Sequence, residues 1–81
     1  NEDYKRINLK FYENCWGIGQ EIIELGKGEG VFREDIDPLT YAKVIRAIID
    51  GSLIQWLTCD IEEQHSFYKD ICFNSILKLL K

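Results

Sequence analysis

Apolar residues recur every three or four positions along three stretches of this chain, and glycine and proline punctuate the gaps between them. From about Asp3 to Lys27, the residues Tyr4, Ile7, Phe11, Cys15, Ile18, Ile22 and Leu25 share one face of a helix. Leu9, Tyr12, Trp16 and Ile23 form a second row beside them, and Arg6, Lys10, Glu13, Asn14, Gln20, Glu21 and Glu24 fill the remainder. At about 100° per residue the apolar arc covers roughly 200°, about twice what one neighbouring helix covers. The first helix is therefore predicted to touch more than one partner.

Gly26, Gly28 and Gly30 end that helix, because glycine tolerates the left-handed conformation that closes helix C-termini. Val31 to Asp37 is predicted as a loop. Asp37 and Pro38 restart a helix, with Asp as N-cap and Pro pre-set for the first turn. The second helix, about Pro38 to Cys59, is apolar almost all round. Ala42, Ile45, Ile49, Leu53 and Trp56 make one stripe, and Tyr41, Val44, Ile48, Gly51 and Gln55 another. The charged arc narrows to Lys43, Arg46 and Asp50. A helix this apolar is expected to be buried on two sides.

Asp60 followed by Glu63 resembles a capping box with Asp in the Ser/Thr position. A third helix is predicted from about Ile61 to Leu80. Ile61, His65, Tyr68, Cys72, Ile76 and Leu79 share one face, and Phe73, Leu77 and Leu80 form a separate patch near its end. No strand-like alternation occurs, so the predicted class is all-α.

Length and composition sharpen this picture. Eighty-one residues make one small domain, near the lower limit for an adequate core, and such domains usually rely on a disulfide, a metal or a partner subunit. The net charge is −4, from 10 basic and 14 acidic residues, with the basic ones scattered. Nucleic-acid affinity comes largely from clustered Lys and Arg on phosphate, so the segment is a poor nucleic-acid binder by itself. Cys15, Cys59 and Cys72 are an odd number without C-x-x-C spacing, which predicts reduced thiols in a cytoplasmic protein. No apolar run has the length of a membrane span, and no membrane partner is expected. The start at Asn1 rather than Met predicts a piece of a longer chain.

Few residues invite chemistry. Gly28-Glu29-Gly30 lacks the preceding strand and the following Lys-Ser/Thr pair of a phosphate loop. His65 and Cys72 share a helix face but fall short of the three or four ligands that a metal requires, and a seam histidine is the better reading. One histidine with no nucleophile motif gives no triad. No enzyme activity, cofactor or metal is expected. Arg46 and Asp50, four apart, are either an exposed ion pair or a polar arc facing a cavity. Phe11, Tyr12, Cys15 and Trp16 are either core or, with Arg46 and Asp50, the lining of a ligand pocket. Gly51 in mid-helix costs about 1 kcal/mol relative to Ala, which close approach of another helix would offset, so Gly51-Ser52 is a candidate subunit contact.

The run Gly30-Val31-Phe32-Arg33-Glu34-Asp35-Ile36-Asp37-Pro38 resembles the G-x-F-R-x-D-x-D-P turn that precedes the penultimate helix of TetR-family transcriptional regulators. Ala42 and then Ile48-Ile49-Asp50-Gly51-Ser52-Leu53-Ile54-Gln55-Trp56-Leu57 are similar to that family's aliphatic-Asp-Gly-Leu-x-x-Gln-Trp stretch, with Ser52 where Leu is commoner. The resemblance covers about Gly26 to Lys81 and extends only loosely to the first helix. It implies a partial C-terminal regulatory domain over residues 1–81, without the N-terminal helix-turn-helix. In that family the last two helices pair with their copies as a four-helix bundle across a homodimer. By resemblance, Ile48, Gly51, Ser52 and Gln55 on the second helix and Tyr68, Cys72, Ser75, Ile76 and Leu79 on the third form the dimer interface. The first helix would wall the pocket of a small-molecule effector. Effector binding would then release operator DNA from the separate head of a repressor. The alternative is a helical protein–protein interaction module with no sensing role.

Overall fold

In the computed structural model, residues 2–59 and 67–81 are described, apart from the side chains of Cys59, Phe67 and Tyr68. The fold is all-α: helix α1 (Glu2–Gly28), helix α2 (Pro38–Cys59), and a π-helical stretch Phe67–Cys72 that runs into helix α3 (Phe73–Leu80). The first two helices fall within one residue of the expected bounds. The third departs from expectation, because its first described turns are π-helical. The wider π turn shifts the phase of the side chains that follow. Leu80, predicted to lie off the main stripe, is the buried residue of α3, one turn on from the half-buried Ile76. The capping pair Asp60 and Glu63, together with Ile61 and His65, lies outside the described residues.

The turn between α1 and α2 shows how local chemistry sets the layout. Val31 N–H donates to the Gly26 carbonyl at 2.9 Å and Gly30 N–H to the Lys27 carbonyl at 3.1 Å, the paired bonds of a Schellman closure. Gly30 supplies the left-handed residue that this closure requires, at φ 76°. The reversal lays the Phe32 ring on Gly26, where an added Cβ would come within 2.2 Å of the ring. Lys27 Nζ donates to the Ile36 carbonyl at 2.8 Å. Asp37 then caps α2: its Oδ2 accepts from Thr40 N–H at 3.0 Å and from the Thr40 hydroxyl at 2.6 Å. These bonds hold the Asp37 carboxyl below its ordinary pKa of 3.8.

The helices run antiparallel in sequence order. Gly19 of α1 faces Ala42 of α2, where an added Cβ would lie 3.1 Å from the Ala42 Cβ. Nearer the start of α1, Trp16 and Tyr12 meet Lys43 and Arg46. The end of α3 returns to the turn, where Arg33 N–H donates to the Leu80 carbonyl at 2.8 Å and Arg33 Nη2 to the Leu79 carbonyl at 3.1 Å. Ile23, Ile36, Ala42 and Leu80 are the buried centre, with Phe32, Tyr41, Ile45 and Ile76 packed against them.

This core occupies one corner of a thin layer. The molecule is flat, measuring 39 × 38 × 14 Å. The radius of gyration is 14.7 Å, whereas a compact chain of this length has about 12 Å. Helix α2 is correspondingly less covered than its apolar character predicts: Ile54 and Leu57 are 63% and 76% exposed.

Candidate functional site

The face that α1 turns inward differs from its dominant apolar stripe. Tyr12, Trp16, Gly19, Ile23 and Gly26 face α2 and the turn, while Ile7, Phe11, Ile18, Ile22 and Leu25 remain exposed. Helix packing favours small residues where backbones cross closely, and the second row carries Gly19 and Gly26 where the dominant stripe carries isoleucines. Periodicity alone does not say which of the two rows packs within the chain.

At the α1–α2 seam the structure brings together five of the six residues expected to line a pocket. Phe11 and Tyr12 meet edge to face at 5.3 Å, and Tyr12 stacks on Trp16 at 5.9 Å. The Arg46 guanidinium lies 5.6 Å from the Phe11 ring centroid and 6.0 Å from that of Tyr12. Arg46 Nε is 3.0 Å from Asp50 Oδ1, a partly shielded ion pair across one helical turn. The pair is close but poorly aligned: Arg46 Nε is buried and makes no hydrogen bond. Hydrogen bonding toward the nearby Asp50 carboxylate, reinforced by its charge, raises the Tyr12 pKa above 10.0, and the Arg46 charge opposes the shift. Lys43, which the sequence pattern did not single out, lies 4.8 Å from the Trp16 ring centroid. The sixth residue, Cys15, is half-buried one turn along α1, with a free thiol.

Two troughs adjoin this cluster. The first, of about 410 Å³, lies between α1 and α2 with the end of α3; Cys15, Ile18, Ile22, Ile45, Ile49 and Arg46 line it among others. The second, of about 290 Å³, lies between α2 and the third helical segment, lined by Ile48, Ser52, Leu53, Trp56, Cys72 and Phe73. Ile49 and Ile76 belong to both.

Among the residues expected at a dimer interface, Ile48, Ser52, Cys72 and Ile76 gather in the second trough. Ser52 and Cys72 touch within the chain, Oγ to Sγ at 3.3 Å, and Ser52 also donates to the Ile48 carbonyl at 2.7 Å. Among the described residues, nothing lies within 4 Å of where a Gly51 Cβ would stand. Gln55 and Ser75 are exposed, the Ser75 hydroxyl bonding back to the Ile71 carbonyl at 2.9 Å, and Leu79 is half-buried. The Tyr68 side chain lies outside the described residues.

The turn Gly30–Pro38 is accounted for by folding roles. Gly30 closes α1, Phe32 covers Gly26, Ile36 is buried and Asp37 caps α2. Arg33 ties the turn to α3 and also donates to the Tyr41 hydroxyl at 3.0 Å. Among the described residues no group of His, Cys, Asp and Glu is placed to hold a metal ion, and no helix is long and apolar enough to cross a membrane. Compared with protein-family models, curated proteins and solved structures, the chain matches none.

Proposed function

We propose that this chain is a ligand-sensing and dimerisation domain of a TetR-type transcriptional regulator. In this reading a second copy covers the open layer, and a small-molecule effector occupies the α1–α2 region. Operator DNA is contacted through a separate helix-turn-helix, in keeping with the net charge of −4 on this segment.

The observation that carries the reading is the surface the fold leaves uncovered. The chain exposes 6292 Å², about 1,200 Å² more than a compact monomer of its mass. A standard protein interface takes about 800 Å² from each partner, and obligate homodimers take more. The excess is therefore of the size one subunit contributes to a permanent dimer. The G-x-F-R-x-D-x-D-P run supports the family assignment, and the gathering of Ile48, Ser52, Cys72 and Ile76 in one apolar trough supports the choice of face.

Sedimentation at micromolar concentration tests the reading, with a dimer as the expected species. Gly51→Glu sharpens the test: among the described residues none approaches that position, so the variant is expected to keep its helical circular dichroism and sediment as a monomer. A stable, folded monomer in the unsubstituted chain would overturn the proposal. If that monomer captured another protein, the helical interaction module would take its place.

A further inference from the structure

The α1–α2 trough has an asymmetry of chemistry along its length. On α1 it runs from Cys15 to Ile23, eight residues or about 12 Å of helix. Its walls are aliphatic: Ile18, Ile22, Ile45, Ile49, Ile76 and Leu80. Among the described residues, Arg46 is the one charged member of the lining. Its volume, about 410 Å³, lies within the ordinary range for small-ligand sites.

Arg46 pairs with the carboxylate of Asp50, and Lys43, also on α2, lies over the Trp16 ring. A guanidinium carries five N–H donors in a planar fork, and Asp50 lies along the Nε edge alone at 3.0 Å. The fork can therefore take a second anion without releasing the first, and the nearby Phe11 and Tyr12 rings help fix its orientation.

From this arrangement we infer that the trough binds an unbranched aliphatic carboxylic acid of about ten carbons, with its chain along Ile18, Ile22, Ile45 and Ile49 and its carboxylate on the Arg46 fork. The length follows from the trough and from C–C bonds of about 1.5 Å. The aliphatic body is held by burial of apolar area, and the head by a charge-assisted pair in a partly shielded site. The inference rests on the sensing reading above and names the class of its effector.

Calorimetric titration of the chain with monomeric decanoate, and in parallel with decanol, tests it. Decanoate is expected to bind saturably at one per chain, with decanol at least about tenfold weaker. Arg46→Gln is expected to erase that preference while leaving decanol unchanged. Ile22→Glu, at an exposed position on the trough lip, should abolish decanoate binding with the helical signal intact. Equal binding of acid and alcohol, or an undiminished preference in Arg46→Gln, would overturn the inference. So would the absence of binding to the folded chain. If Arg46→Gln fails to fold, the comparison of acid with alcohol on the unsubstituted chain decides. Sedimentation of the same samples keeps the two proposals apart: a dimer indifferent to decanoate refutes the ligand and spares the dimer, whereas a stable monomer refutes the sensing reading itself.

Discussion

The turn corner and the open stripe of α1 share one helix and use the same kinds of residue, yet they have opposite fates: the corner adds the turn, α2 and α3 to α1, and the stripe is left to α1 alone. At the corner, Ile23, Ile36, Ala42 and Leu80 are buried, Phe32 lies on Gly26, and backbone and side-chain hydrogen bonds draw α1, the turn and α3 together. Along the stripe, Ile7, Phe11, Ile18, Ile22 and Leu25 are 51–68% exposed. The stripe is the more regular hydrophobic pattern, and the corner has the better geometry. Burial follows where two backbones can approach, and glycine at positions 19 and 26 permits that on the second row only. The stripe is then surface that the chain itself does not cover, which is why it bears on assembly and the corner bears on folding.

Substitutions that treat the two regions alike should separate them. The largest difference is expected between Ile23→Ala and Ile18→Ala. The first opens the buried corner and should cost about 3 kcal/mol in urea denaturation, while the second should stay within about 0.5 kcal/mol in the monomer. Equal losses would mean that the stripe is already buried in solution.

The glycines give the next contrast. Gly26→Ala drives a methyl into the Phe32 ring and should destabilise by about 2 kcal/mol. Gly17→Ala meets nothing within 4 Å in mid-helix and should stabilise by about 0.5–1 kcal/mol. Opposite signs on one helix, read from denaturation midpoints, would locate the close approach.

A smaller effect is expected at the cap. Because Asp37 titrates below its ordinary 3.8 in the fold, its contribution is present above that value and is lost as pH falls through the lower folded pKa. Asp37→Ala should therefore lower the thermal midpoint at pH 7 and converge with the unsubstituted chain once the pH has fallen through the lowered folded pKa. A midpoint difference that persisted there would assign the effect to something other than the carboxylate.

The smallest effect is at the seam. The raised Tyr12 pKa favours the neutral phenol in the fold, a contribution present below pH 10 and lost as pH rises through the folded value. In an absorbance titration, one of the chain's four tyrosines should ionise late, and Tyr12→Phe should remove that late step.

Much of this was legible in the residues, for reasons that differ by element. Gly26, Gly28, Gly30, Asp37 and Pro38 mark a helix end and a helix start through local backbone chemistry, and both boundaries appear where that chemistry places them. The seam cluster was readable in part, since Phe11, Tyr12 and Trp16 lie within about one turn and a half of one helix and Arg46 and Asp50 one turn apart on another. Lys43 was not readable, because its place over Trp16 depends on the register between α1 and α2, to which no local rule extends. The burial of Leu80 rather than its neighbour Leu79 was not readable, because it depends on how the end of α3 meets the turn, through the Arg33 bonds to the Leu79 and Leu80 carbonyls.

Local sequence chemistry alone determined the all-α class, the extents of α1 and α2 and the conformation of the turn between them, because each depends on interactions within a few residues. Only the tertiary structure decided which of two apolar rows on α1 is buried, that Arg46 joins the lining of an otherwise aliphatic trough, and that Ile49 and Ile76 join that trough to the next. These depend on how closely two backbones approach. That distance is set by side-chain volume on both helices at once, and periodicity along one helix does not contain it.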